Sequence, residues 1–237
     1  MKVWVTRSEP GATRLSGHLV QAGHKVVCKP VLSIKSLTPQ ITPFNLVTDV
    51  IFLSEHAVSP GIDYLQLMDI DRSEVSVFAV GPTTAKKLRQ YGFSPILPAI
   101  NSSEGLLALS ELSTGVNRNI LILAGEGGRG VLESELTIRG ANVMKVPLYK
   151  RRKVALSKFK SVIRPVDIDA IIVGSGEGLR LMASIWLASS GELSIPLIVP
   201  SERIAQLAKE LSFVSIVSSL GHEPDEVIRA LKTFEQQ

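Results

Sequence analysis

Aromatic residues make up only 5% of this 237-residue chain. That scarcity argues against a row of base-stacking platforms for single-stranded nucleic acid. Cysteine occurs once, as Cys28. No internal disulfide can form, and without a matching histidine signature the thiol is expected to be buried and inert within a strand. Apolar runs end after about six residues, where a membrane helix needs roughly 20. Lys2, Arg7 and Glu9 interrupt the N-terminus, so no secretory apolar region is read there, and a cytoplasmic protein is expected. The four histidines (His18, His24, His56 and His222) show no metal-ligand spacing, which places them on helix surfaces or in loops. There is no GxSxG elbow. The run GEGGRG at 125–130 lacks the Lys-Ser/Thr of a phosphate loop and is out of register for a dinucleotide fingerprint.

What is present is a core. The chain is 45% hydrophobic and 20% charged, with a net charge of +4 and a pI of about 9.2. The apolar share excludes disorder. The mild basic excess fits nucleic acid, phosphate or a polycarboxylate, and equally a basic surface kept for solubility.

Short Val/Ile/Leu runs alternate with helical periodicity. Strands are predicted at Lys2–Thr6, Lys25–Cys28, Val50–Leu53, Ser76–Val80, Pro95–Leu97, Asn119–Leu123, Ala170–Val173, Pro196–Val199 and Val214–Val217. Helices are expected near 12–22, 83–90, 101–112, 179–188, 202–211 and 224–234, with a helix and connector over 154–165. Near-continuous apolar strands alternating with helices indicate an α/β chain with parallel sheets.

The chain also repeats itself. KVWVTRSEPGATRLSGHLVQAGHKVVCKPVL aligns without gaps on NILILAGEGGRGVLESELTIRGANVMKVPLY. Leu15 and Leu132, Gly23 and Gly140, and Pro30 and Pro147 are each 117 residues apart. A second pair, VFAVGPTTAKKL and LIVPSERIAQLA, aligns at an offset of 120, as Phe93 and Phe213 show. Two kinds of unit therefore occur in the order A, B, A, B. Two arrangements satisfy this. The domains are sequential, 1–112 and 119–237, or one is inserted, with 1–35 plus 153–237 forming one domain and 37–150 the other.

Ligands of open parallel sheets lie beyond the carboxyl ends of the strands. Those ends carry Arg7, Ser54, Thr83, Thr84, Gly125, Glu126, Arg129, Ser175, Gly176, Ser201 and Arg203. Hydroxyls, glycines and helix-terminal N–H groups suit anionic oxygens, although Ser and Thr before a helix also serve as plain caps. Asp49 and Asp169 precede matching strands, which suits strand-entry loops. The basic run Lys150–Lys153 reads as a solvated connector face or as a substrate contact. Tyr149 stands apart. Its repeat counterpart is Leu32, so the repeat did not require an aromatic there. A phenol donates a proton or hydrogen bond at neutral pH; a tyrosine packed at a domain seam is the alternative.

The ordered set of Ser54-Glu55-His56-Ala57-Val58, VGPTTA at 80–85, AGEGGRGVLESEL, VPLYKRR at 146–152 and SERIA at 201–205 resembles the uroporphyrinogen-III synthase family over essentially the whole chain. The resemblance implies two flavodoxin-like α/β domains, one inserted in the other and joined by a two-stranded connector. It implies closure of the linear tetrapyrrole hydroxymethylbilane to uroporphyrinogen III, with inversion of ring D and loss of water, and without cofactor or metal. Tyr149 would assist departure of the hydroxyl, and Ser54, Thr84 and Ser175 match polar cleft positions. Arg7 and Arg129 are added on charge and loop position. The implied partners are the polycarboxylate substrate and, transiently, the enzyme that makes it, with no nucleic acid or membrane. The expected state is a monomer. A two-lobed anion-binding protein without chemistry, or a regulatory homologue, stays open beside the enzyme.

Overall fold

A computed structural model describes the whole chain except residues 45, 129, 160–162 and 236–237. In chain order the elements begin with β1 (Lys2–Val5), α1 (Gly11–Gln21), β2 (Lys25–Cys28) and β3 (Leu32–Ser36). Next come β4 (Asp49–Phe52), α2 (Val58–Leu67), β5 (Ser76–Ala79), α3 (Pro82–Gln90) and α4 (Ser103–Leu107). Then follow β6 (Asn119–Gly125), α5 (Val131–Ile138) and β7 (Asn142–Lys153). The last are β8 (Ala170–Ile172), α6 (Gly176–Ala188), β9 (Leu197–Val199), α7 (Glu202–Glu210), β10 (Ile216–Ser218) and α8 (Pro224–Lys232). Among the described residues no helix is long and apolar enough to cross a membrane.

Two compact units result, Met1–Ser33 with Arg152–Gln237, and Ile34–Arg151. The chain leaves the first along β3 and returns along the far end of β7. The first unit holds a sheet in the order β10-β9-β8-β1-β2, with every pair parallel. Counted within the unit, that is the flavodoxin-like order 2-1-3-4-5. The second holds β3-β7-β6-β4-β5, parallel from β7 to β5. The run β7-β6-β4-β5 has the same spatial order as β2-β1-β8-β9. Even the fifth position survives, as a single parallel bridge between Phe78 and Ile96. The second unit is thus a circular permutation of the first, with its A-type βαβ unit coming last instead of first.

The registers agree with the repeat. Lys2 pairs with Lys25 across β1 and β2, and Asn119 pairs with Asn142 across β6 and β7. Each partner is displaced by the same 117 residues.

Side chains alternate across each sheet, because successive residues of a strand face opposite ways. In the first unit Trp4, Ile171, Leu197 and Val199 bury against α6 and α7. Val3, Val5, Ala170 and Ile198 bury against α1 and α8. In the second, Val50, Phe52, Leu121 and Leu123 meet α2 and α3. Ile51, Ile120 and Ile122 meet α4 and α5. Covering both faces is what demands uninterrupted apolar strands.

The structure corrects several expectations. Cys28 is exposed, with its sulfur 3.8 Å from Glu9 Oε1. It ends β2, the outermost strand of its sheet, where one side of the ladder has no neighbour. The helix expected over 101–112 stops at Leu107, followed by a 3₁₀ turn at Ser110–Leu112. Residues 154–165 form no α-helix where described, only the 3₁₀ turn Leu156–Lys158 and the start of another at Pro165–Asp167. The helix α2 went unread, because Pro60 and Gly61 punctuate it. His24 is buried, 7% exposed, with Nδ1 3.6 Å from Glu235 Oε1.

Asp49 and Asp169 hold strand entries. Asp169 Oδ2 accepts from the Lys2 amide at 2.6 Å. Asp49 is 1% exposed and accepts from Thr48 Oγ1 and Arg118 Nη1, each at 2.6 Å. Replacing it by Ala leaves the Arg118 guanidinium without this acceptor, while the Thr48 hydroxyl keeps only the Asn119 carbonyl at 3.3 Å. Asp49→Ala is expected to cost roughly 2–3 kcal/mol. Hydrogen exchange should lose protection in β4 and β6 and keep it in β1 and β8; unchanged protection in β4 would refute the pair's role.

Candidate active site

In a 2-1-3-4-5 sheet the crossovers leave in opposite directions from the two central strands, and the carboxyl ends of those strands open a crevice. In the second unit the central strands are β6 and β4. Their ends deliver Gly125-Glu126 and Ser54. β7, beside β6, runs on to Lys153 and brings Tyr149, an interior residue of the strand, level with Gly125.

The placement of Tyr149 depends on a bulge. Pairing between β6 and β7 runs Ala124 to Pro147 and then jumps to Gly125 with Tyr149, skipping Leu148. Strict alternation would send Leu148 and Tyr149 to opposite faces; an extra residue turns both toward one core. Both are buried there, with Tyr149 2% exposed. The Tyr149 carbonyl accepts from the Glu126 amide at 2.7 Å, closing the bulge.

The tyrosine ring lies directly over Gly125. A Cβ at that glycine would stand 2.7–2.9 Å from the ring and its hydroxyl oxygen, closer than carbon atoms can approach. Tyr149 Oη and Ser54 Oγ share a hydrogen bond of 2.8 Å in which either can donate. His56 meets the ring edge-on, with centroids 5.3 Å apart. The Arg151 guanidinium covers the ring face, 5.8 Å from its centroid. Burial holds the His56 imidazole below its ordinary pKa. Glu55 opposes that shift, and the Arg151 and Lys87 cations reinforce it. His56 is therefore neutral at pH 7.

Beside Tyr149 opens a depression of about 140 Å³, lined among others by Gly125, Glu126, Gly127, Gly128, Lys145 and Arg151. Its charges are mixed. Lys145 donates to the Gly127 carbonyl at 2.9 Å and pairs with Glu133 in the first turn of α5. Gly127, Gly128 and Gly130 all take left-handed φ values, which is why the turn is so rich in glycine.

The other predicted residues divide by unit. Thr83 and Thr84 open α3 after β5; Thr84 is 4% exposed and sits in the core, and Thr83 is half-buried. Arg129 lies outside the described residues. In the first unit Arg7 follows β1 and donates from Nη1 to the His222 carbonyl at 2.9 Å. Its side chain packs across Gly174, where a Cβ would come within 2.9 Å of Arg7 Cγ. Ser175 caps α6, its Oγ accepting from the Gly178 amide at 3.1 Å. Gly176 leaves room for Leu207 and Ile204. Ser201 precedes α7, and Arg203 is exposed on its first turn. Sequence reasoning missed His56 and Arg151 as neighbours of the phenol. The available signal was spacing, since each lies two residues beyond a chosen position, Ser54 and Tyr149.

A family model described as uroporphyrinogen-III synthase HemD matches residues 13–228. The chain belongs to the uroporphyrinogen-III synthase family. Uroporphyrinogen-III synthase of Escherichia coli K12 is 30% identical over 247 aligned residues, covering 98% of this chain and all of that one. The Salmonella typhimurium LT2 protein of the same name is also 30% identical, over 98% of this chain and 100% of its own length. Among solved structures, uroporphyrinogen-III synthetase from Helicobacter pylori superposes with a TM-score of 0.65 at 14% identity, covering 98% of both chains. A mutant uroporphyrinogen III synthase from the extremely thermophilic bacterium Thermus thermophilus gives a TM-score of 0.64 at 13% identity, over 100% of this chain and 98% of that one. At such identities the likeness establishes the family's two-domain α/β fold and nothing finer.

The packing around Tyr149 is open to a double-mutant cycle. Gly125→Ala should cost about 1–3 kcal/mol by overpacking. In a Tyr149→Ala background most of that cost should vanish, because the two residues are coupled by contact; additive losses in a thermal-melt cycle would refute the close approach. His24 and His56 are both held below 6.5, chiefly by burial. The unfolded chain therefore binds protons that the folded chain refuses. The stability they contribute is complete above about pH 6.5 and declines as pH falls through the lowered folded values. Urea midpoints at pH 7.5 and 5.5 should show the decline, and His56→Asn should shrink it; a decline no smaller in His56→Asn would contradict the assignment.

Proposed function

We propose that this chain closes hydroxymethylbilane to uroporphyrinogen III, with Tyr149 as its proton donor. The observation that carries the proposal is the 2.8 Å bond between Tyr149 and Ser54 at the sheet's crevice. It fixes a phenol's orientation where ligands of this topology bind.

The reaction needs little covalent help from the protein. The hydroxyl on the ring A carbon takes a proton and leaves as water, giving an azafulvenium cation. That carbon bonds to the substituted position of ring D and forms a spiro intermediate. Fragmentation and recombination then invert ring D, and loss of a proton restores the pyrrole. Tyr149 supplies the first proton, and Ser54 donates its own O–H to the phenol oxygen, which holds the ring and leaves the phenol's proton for the substrate. Neutral His56 packs against the ring without adding a competing charge. The remaining requirement is to fold and orient a flexible octacarboxylate. We assign that work in the second unit to Thr83, Thr84, Gly125, Glu126 and Arg129. The first unit's Arg7, Ser175, Gly176, Ser201 and Arg203 receive the same role. Backbone donors matter most at Ser175 and Gly176, whose side chains or lack of them already serve the helix.

The same reading treats the chain as a cytoplasmic monomer working without cofactor or metal. It takes its unstable substrate from the enzyme that makes it by transient contact. The two long sheet crossings at β3 and β7 make the units Met1–Ser33 with Arg152–Gln237 and Ile34–Arg151 natural domains.

The test supplies freshly made hydroxymethylbilane and separates the isomers. An excess of type III over the spontaneous type I product is expected, and type I alone would reject the enzyme. Tyr149→Phe should lower kcat by about 10²-fold, the usual scale for losing a general acid, and Ser54→Ala by less. Unchanged turnover in Tyr149→Phe would reduce the tyrosine to a packing residue.

A further inference from the structure

Resting on that reading, we infer that Arg151 is a substrate-carboxylate site, seated on the Tyr149 ring and determining how tightly the bilane is held beside the phenol. Four observations support it. Arg151 follows Tyr149 by two residues on β7, so both side chains leave the strand on the same side. Its guanidinium covers the ring face at 5.8 Å from the centroid. Its side chain is exposed although the tyrosine beside it is buried. It lines the same depression as Gly125, Glu126 and Tyr149.

The chemistry of a guanidinium held near a ring does the rest. At 5.8 Å it lies within cation–π range of Tyr149, an attraction that leaves its N–H edge to other partners. That edge presents two parallel donors at the spacing of a carboxylate's two oxygens. Among the described residues, the other cation lining the depression, Lys145, is committed to Glu133 and to the Gly127 carbonyl. With Lys145 and Glu133 offsetting each other, Arg151 is the group in the depression that attracts a carboxylate.

A contact made equally in the ground and transition states changes KM and leaves kcat in place. The experiment measures both for type III formation in Arg151→Gln, Arg151→Lys and Arg152→Gln, at two salt concentrations. Arg152 follows directly and is exposed, but it leaves the strand on the other side. Its variant carries the same loss of charge. Arg151→Gln is expected to raise KM about tenfold, the scale of one charge-assisted contact, with kcat within about threefold of wild type. Arg151→Lys should recover only part, because it keeps the charge without the plane or the fork. Arg152→Gln should stay close to wild type. Equal KM changes in Arg151→Gln and Arg152→Gln would replace the site by a general field and overturn the inference. An unchanged KM, or a fall in kcat alone, would overturn it as well. If the wild-type chain makes no type III isomer, the enzyme reading itself fails; if the wild type is active and only the Arg151 result is absent, the failure belongs to this inference alone.

Discussion

The second unit is built around one close approach, the ring of Tyr149 lying on a residue that has no side chain. With any Cβ at Gly125 the ring would meet carbon below 3 Å. The bulge that skips Leu148 is what brings the ring there. From that placement the surroundings follow. Ser54 follows the neighbouring central strand within hydrogen-bond reach, His56 comes two residues later, and Arg151 stands over the ring two residues down its own strand. Shift β7 by one residue and the phenol would exchange the crevice for the opposite face of the sheet.

The duplication makes this unit informative by contrast. The two sheets share strand order and register, and their A-type βαβ units superpose in sequence at a constant offset. Yet the shared scaffold carries different contents at its two switch points. Where the second unit has Tyr149, the first has Leu32, a buried aliphatic residue 4% exposed. Where the second has Ala124 at the end of β6, the first has Arg7, whose guanidinium is anchored on a backbone carbonyl. One copy was adapted to carry a phenol and the other a fixed cation. Permutation explains how both lie on one chain: the second unit starts with its B-type strands and closes with the A-type pair, so its last strand is also the path back to the first unit.

Much of this was legible in the sequence, for identifiable reasons. Strands covered on both faces announce themselves as apolar runs, and their ends fix which loops can hold a ligand. The repeat implies the two sheets, and it marks Tyr149 as the residue that was not copied. What failed to show were features that depend on neighbours in space. Nothing in Lys25–Cys28 says that β2 is an edge strand, so the exposure of Cys28 was invisible. The bulge at Ala124 and Gly125 leaves no mark in composition, because a glycine in a glycine-rich turn looks like turn chemistry and not like room for a ring. Ser175 illustrates the reverse case. A serine before a helix reads equally as ligand contact or cap, and here the cap is formed. The partnership of His56 and Arg151 with the phenol needed the fold to bring 56 and 149 together.

The central claim is that the phenol held by Ser54 over Gly125 delivers the proton that the departing hydroxyl requires. A leaving group that departs as a stable anion needs no such proton. The most direct measurement therefore compares wild type and Tyr149→Phe on two bilanes, one hydroxymethyl and one acyloxymethyl, by single-turnover formation of the type III ring. The account predicts a large deficit of the variant on the hydroxymethyl substrate and little or none on the acyloxymethyl one. Equal deficits on both would contradict it, and would make the tyrosine a residue that shapes the crevice without donating to the reaction.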